Sequence, residues 1–269
     1  MRNYEGYRRA IEENLLIVDK HQKEVPFILN PAQAHFLEHS GNRNIILKAR
    51  KMGFSSCLLA IAVIKFIFGK NERCVSMSFD QGASGKQLER AKRFLDSYQR
   101  VNKIDFKLKY NSKYEMVMEV KNGDESYTNT LRVGTAKSSG FGRGDDITFL
   151  HLTEVSLADD IEQLLAGVGE AVIHDAMITM ETTANGYNAF KTFWDESAAG
   201  QRNYKALFYA PSWEYDEAFL KNKAEELGKL YDQEYPASPE LAFLTSGDTF
   251  FDMEALKYYM ENTREPLNV

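Results

Sequence analysis

The chain has 269 residues, of which 43% are hydrophobic and 27% charged, with a formal net charge of −6. That is the balance of a globular protein with a full core, and the acidic surplus excludes a generic nucleic-acid binder with an overall basic face. Two cysteines, Cys57 and Cys74, exclude a disulfide framework and a thiolate metal site; both lie in apolar segments, read as small core residues and suit a reducing cytoplasm.

Residues 1–26 read as a polar N-terminal helix whose apolar positions are Ile11, Leu15, Leu16 and Val18. Pro31 then suits the first helical position after an Asn30 cap, which places Gln33 in the first turn of a short helix. From there a glutamine amide can donate to and accept from the edge of an adenine.

Asn44-Ile45-Ile46-Leu47 is a short apolar run suited to a buried strand, and residues 55–68 form a long apolar run suited to a helix. Between them stands KARKMGFSS, residues 48–56, in the strand-loop-helix context that aims a helix N-terminus at an anion. The common phosphate-loop pattern GxxxxGK[ST] cradles phosphates on backbone N–H groups, with its lysine on the terminal phosphates and its hydroxyl on Mg²⁺. Gly53 and Ser55 keep the second glycine and the hydroxyl, whereas Phe54 takes the lysine position and Lys48 the first-glycine position. The cation must then come from Lys48, Arg50 or Lys51, with Met52, Gly53, Phe54, Ser55 and Ser56 forming the rest of the nucleotide-binding loop.

The apolar run 55–68 is interrupted by Lys65 and is too short to span a bilayer, and the N-terminus lacks a signal peptide's apolar region, so a soluble protein is expected. Strand-like and helix-like segments alternate over 74–79, 87–98, 114–120, 130–134, 147–152, 161–166, 176–180, 189–194 and 206–209, which predicts an α/β fold with a mostly parallel central sheet flanked by helices. The basic run Lys86 to Arg93 reads as the solvated face of an amphipathic helix. Asn122-Gly123 marks a hairpin turn within 114–134.

The strand ending in Ile147-Thr148-Phe149-Leu150-His151-Leu152-Thr153-Glu154 delivers a glutamate to a strand end, where it can act as general base and orient water for in-line attack on a γ-phosphate. Thr153 stands where a magnesium-holding acid is usual, so Mg²⁺ falls to Ser55, phosphate oxygens and waters, with the Thr153 hydroxyl nearby. After 176–180 come Thr182, Thr183, Ala184, Asn185 and Gly186, small and hydroxyl residues suited to sensing a phosphate and shifting when it leaves.

The order NPAQ (30–33), KARKMGFSS (48–56), FLHLTE (149–154) and TTANG (182–186) resembles the ATPase domain of the large terminase subunit of tailed bacteriophages. The resemblance covers most of residues 27–251 and includes YPASPELAF (235–243), Ser246-Gly247 and Phe250-Phe251, which look like the segment leading toward the family's nuclease domain. It implies an additional-strand, RecA-like P-loop NTPase that uses ATP and Mg²⁺. It also implies that Lys48 is the displaced lysine of a deviant loop, that Lys51 is the accompanying basic residue, and that Arg143 in Phe141-Gly142-Arg143-Gly144 reaches a neighbouring subunit's γ-phosphate. The implied partners are double-stranded DNA, the portal protein, the small terminase subunit and further copies in a ring, with no membrane. The implied location is the host cytoplasm, with transient docking on the procapsid.

The expected division is an ATPase core over 1–211 and a linker or lid over 212–269. An RNase H-like nuclease would be expected beyond; Asp252 and Glu254 do not by themselves make a nuclease site. Two alternatives stay open: another additional-strand ATPase such as a helicase core, and a nucleotide-binding docking module that has lost catalysis.

Overall fold

A computed structural model describes residues 4–19, 21–79, 81–122, 124–135, 146–245, 258–259 and 262. Helix α1 (Tyr4–Asn14) is followed by a hairpin of β1 (Leu16–Val18) and β2 (Glu24–Pro26), then α2 (Pro31–His39), β3 (Arg43–Lys48), α3 (Phe54–Phe68), β4 (Arg73–Ser78) and α4 (Gln81–Asn102). Strands β5 (Leu108–Asn111), β6 (Glu115–Asn122), β7 (Glu125–Thr135) and β8 (Ile147–Thr153) lead to α5 (Ile161–Gly169), β9 (Val172–Thr182), α6 (Ala189–Ala198) and β10 (Lys205–Tyr209). Helices α7 (Glu217–Leu227), α8 (Tyr231–Glu234) and α9 (Pro239–Thr245) close the main described chain.

The N-terminal expectation is corrected by the hairpin, since residues 1–26 do not form a single helix. The helix ends at Asn14, and the apolar run after it pairs as a strand, Leu16 opposite Pro26 and Val18 opposite Glu24. Two side chains fix this: Ser97 Oγ accepts from Leu16 N at 3.1 Å, and Asp19 Oδ1 accepts from the amides of His21 and Lys23 to make the turn.

Eight strands form one sheet in the order β10-β3-β9-β8-β4-β7-β6-β5. The first six are parallel, and β6 and β5 add an antiparallel edge, with β6 and β7 in the hairpin expected over 114–134. Period-2 alternation serves two cores: on β3, Ile46 packs with α1, α2, α3 and α4, while Ile45 and Leu47 face α5, α6 and α9. Sheet faces covered on both sides explain why the parallel strands are apolar runs. No described helix is long and apolar enough to cross a membrane.

Two consequences position the site. The parallel strands β3, β9, β8 and β4 all end on one edge, where ligands bind in open α/β sheets, and β9 is inserted between the loop strand β3 and the glutamate strand β8. The chain after β10 folds back on the core, with Tyr215 and Tyr235 packed in the same cluster as Phe54.

Phe54 explains its own departure from the phosphate-loop pattern. It is 0% exposed, with its ring 6.0 Å from Phe36 and 4.8 Å from Tyr209, so this position is a packing anchor for the start of α3. Phe54→Ala is expected to cost about 3–5 kcal/mol in urea denaturation; a loss below about 1 kcal/mol would contradict the anchoring role.

Candidate nucleotide-binding site

The segment between β3 and α3 is held in a non-repetitive path by backbone contacts from three directions. Ala49 N donates to Tyr209 O at 3.1 Å and Arg50 N to Glu234 O at 3.0 Å, while Tyr215 donates its hydroxyl to Lys51 O at 3.0 Å. Asn30 Nδ2 and Gln33 Nε2 both donate to Met52 O, at 3.1 and 3.2 Å. Lys51 and Gly53 take positive φ of 60° and 73°. Gly53 is required on two counts, since a Cβ there would also lie 2.7 Å from Gln33 Nε2. The loop then enters α3, whose N-terminus faces a cavity of about 560 Å³.

Lys48, Arg50, Lys51, Gly53, Ser55 and Ser56 line the cavity from the loop, Thr153, Glu154 and Thr183 from the ends of β8 and β9, and Lys86, Gln87 and Arg90 from α4. Among its lining side chains, five are basic (Lys48, Arg50, Lys51, Lys86, Arg90) and one is acidic (Glu154). Lys48 and Arg50 are paired with Glu181 and Glu234 at 3.1 and 2.8 Å; in a chain of net charge −6, the further cations Lys51, Lys86 and Arg90 around a helix N-terminus favour an anion in the cavity. The 86–93 run is the solvated face of an amphipathic helix, as expected, with Lys86, Glu89 and Arg93 exposed; Lys86 and Arg90 also line the cavity from that face.

Beneath the loop lies a buried carboxylate. Glu181, 0% exposed on β9, has its Oε2 3.1 Å from Lys48 Nζ, and its Oε1 accepts from Ser55 Oγ at 2.5 Å and from Thr153 Oγ1 at 2.6 Å. His151 Nε2 stands 3.5 Å from Oε1, and Ser76 Oγ links His151 Nδ1 (2.9 Å) to Gln87 Oε1 (2.9 Å) on α4. Burial pushes the Glu181 carboxyl upward, but Lys48, His151 and the Ser55 hydroxyl outweigh it and hold it well below the usual carboxylate range. On α4, burial lowers the Arg90 guanidinium, as does nearby Arg93, while Glu181 acts in the opposite sense.

Glu154 stands at the cavity wall with φ 59° and ψ 40°, a left-handed conformation that a non-glycine residue holds at a cost of about 1–3 kcal/mol. Its amide donates to Glu181 O at 2.8 Å. The TTANG stretch is tied to the turn that follows Glu154: Thr182 and Ser156 hydroxyls are 2.8 Å apart, and Asn185 Nδ2 reaches Ser156 O at 3.4 Å. Of that stretch, Thr183 lines the cavity, whereas Thr182, Ala184, Asn185 and Gly186 do not.

Gln33 is 3% exposed and does not line the cavity. Its Oε1 accepts from Asn30 N at 3.2 Å in a capping box and its Nε2 is on Met52 O, so in this state the amide buttresses the loop. Arg143 lies outside the described residues, as do Ser246-Gly247, Phe250-Phe251, Asp252 and Glu254. Among the described residues no three His, Cys, Asp or Glu side chains form a metal-binding group.

No protein-family model and no curated protein sequence matches the chain. Solved structures do match by fold. The Thermus phage P74-26 large terminase ATPase domain superposes with a TM-score of 0.58 at 14% identity, over 77% of this chain and 92% of that one. The chain has the fold of phage large-terminase ATPase domains. The HK97 bacteriophage large terminase gives a TM-score of 0.59 at 15% identity, over 91% of this chain and 51% of its own. The large terminase of a thermophilic bacteriophage, in complex with ATP-gamma-S, gives 0.56 at 13% identity, over 76% and 51%. This terminase-like chain thus spans about half the length of the last two proteins. The fold class expected from the sequence, α/β with a mostly parallel central sheet flanked by helices, is the one observed.

Sequence reasoning found the loop and Glu154 but gave Glu181, Lys86 and Arg90 no role. The available signal for Glu181 was an acid directly after the largely apolar run 176–180. Removing its charge leaves Lys48 buried without a counterion, so Glu181→Gln is expected to cost about 3–5 kcal/mol at neutral pH. The folded-state carboxyl lies below its ordinary value of 4.5. The stabilisation is therefore complete above that value and is lost as pH falls below it. Urea denaturation should show the gap between parent and variant narrowing on acidification below pH 4.5; a constant gap would contradict the assignment.

Proposed function

We propose that the chain is the ATPase motor domain of a viral DNA-packaging terminase, which hydrolyses ATP to move double-stranded DNA into a procapsid. The observation that carries this reading is the cavity at the carboxyl ends of β3, β8 and β9: a helix N-terminus ringed by five basic side chains and faced by one strained glutamate. The terminase-like fold supports the same reading.

Each residue then has a chemical task. The Gly53, Phe54 and Ser55 amides at the start of α3 take phosphate oxygens, with Arg50, Met52 and Ser56 completing the loop. Lys48 and Lys51 neutralise the phosphates in place of the absent loop lysine, and Lys86 and Arg90 add charge from α4. Glu154 orients water and accepts its proton. Gln33 holds the loop, and adenine recognition by its amide would require it to exchange its backbone partners for the base. Thr182, Thr183, Ala184, Asn185 and Gly186 couple γ-phosphate loss to the turn that carries Glu154, through the Thr182–Ser156 contact.

The residues present fit Mg²⁺. Ser55 Oγ and Thr153 Oγ1 both lie within hydrogen-bond distance of one carboxylate oxygen, so three hard oxygen donors stand together, with the Lys48 ammonium beside the other carboxylate oxygen. Bound with ATP, Mg²⁺ would offset charge on the phosphate oxygens.

The partners of this reading are double-stranded DNA, the portal, the small terminase subunit and further copies in a ring, in which Arg143 would act on a neighbour's nucleotide. It places the chain in the host cytoplasm, docked transiently on the procapsid. Residues 1–211 would form the motor core and 212–269 the lid or linker. The alternative of an inactive docking module rests on Phe54 and Thr153, and one pair of experiments separates it.

Under single-turnover conditions the parent should hydrolyse ATP, and Glu154→Gln should bind nucleotide comparably while hydrolysing it about 10²–10⁴-fold more slowly. Equal rates for the two, or no nucleotide binding, would overturn the reading. Arg90→Ala should weaken ATP binding by about 10–100-fold, the worth of one hydrogen bond to a charged group; unchanged affinity measured by calorimetry would remove α4 from the site.

A further inference from the structure

We propose that Glu181 supplies the magnesium-side carboxylate that strand β8 lacks, an assignment that rests on the nucleotide reading of the cavity. In phosphate-loop NTPases, Mg²⁺ is held by the loop hydroxyl together with a strand-end acid. At the end of β8 that position is Thr153. Strand β9 lies between β3 and β8, and Glu181 sits directly opposite Thr153 in the register. An acid at 181 is therefore one strand closer to the loop than an acid at 153 would be.

The side chains converge accordingly. Ser55 Oγ lies 2.5 Å from Glu181 Oε1, and Thr153 Oγ1 donates to the same oxygen at 2.6 Å. Oxygens from three separate segments meet at one point just behind the cavity wall, which Ser55 and Thr153 line and Glu181 does not; together they would supply hard oxygen donors to Mg²⁺.

The second carboxylate oxygen points to the same role. Glu181 Oε2 is buried and takes no hydrogen bond; the Lys48 ammonium is 3.1 Å away but out of hydrogen-bond alignment. A purely structural buried acid is normally saturated with hydrogen bonds. Lys48 neutralises this carboxylate in the present state, and it can leave for the phosphates only if another cation takes its place beside Glu181. Otherwise a bare buried charge would remain. The departures at positions 48, 153 and 181 thereby become one rearrangement: the lysine has moved to the start of the loop and the acid to the neighbouring strand.

The test is calorimetric titration of ADP into the full chain, with Mg²⁺ and with a chelator, for the parent, Glu181→Gln and the exchange variant Thr153→Glu/Glu181→Thr. Mg²⁺ should tighten ADP binding to the parent. In Glu181→Gln that enhancement should fall at least about tenfold. The exchange variant, with an acid and a hydroxyl traded across one register pair, should recover most of the enhancement. Full enhancement in Glu181→Gln, or a loss that the exchange variant does not recover, overturns the assignment. Should Glu181→Gln fail to fold, Glu181→Asp, which keeps the charge beside Lys48 but withdraws the carboxylate by one methylene, decides: a reduced enhancement supports the assignment and a full one overturns it. A parent that binds no ADP in either condition overturns the nucleotide reading and this assignment together.

Discussion

The Lys48–Glu181 pair is the interaction around which the site is assembled. A buried carboxylate costs several kcal/mol in desolvation, and this one is accommodated because the end of β3, the start of α3 and the end of β8 each bring a partner to it. The same contacts fix where the start of α3 lies relative to the ends of the two strands. The loop's geometry is in this sense set from below, by charge, as much as by its own backbone.

Further ties surround that centre. Asn30 and Gln33 hold Met52 O from the N-terminal side, while Tyr215 and Glu234 hold Lys51 and Arg50 from the C-terminal side. Arg50 also pairs with Glu234 at 2.8 Å. The segment after β10 is therefore in direct contact with the loop, so a displacement of the loop bears directly on the chain that follows β10. A second set of contacts runs through His151, Ser76 and Gln87 into α4, the helix that also brings Lys86 and Arg90 to the cavity.

Much of the fold was legible because its signals are local. Apolar runs bounded by turn residues marked the parallel strands, and Gly53 between β3 and the apolar helix marked the loop; the hairpin at the sheet edge had its own turn signal. What was not legible depends on register and on neighbours. Glu181 becomes central only once β9 is inserted beside β3 with residue 181 opposite Thr153, a pairing between positions 28 apart. Lys86 and Arg90 lie on a helix whose amphipathic pattern shows that one side is polar but not what that side faces. The run Leu15 to Val18 continues a helical spacing and also fits a short strand; Ser97 and the Asp19 turn decide between them, and both act only in the folded chain.

The most direct test of the account is a structure of the chain with Mg²⁺ and a non-hydrolysable ATP analogue. The account predicts phosphates on the amides at the start of α3, Glu154 facing the γ-phosphate, and Lys48 moved from Glu181 Oε2 onto a phosphate oxygen. Nucleotide bound elsewhere, or phosphates seated on the loop while Lys48 stays paired with Glu181, would contradict it.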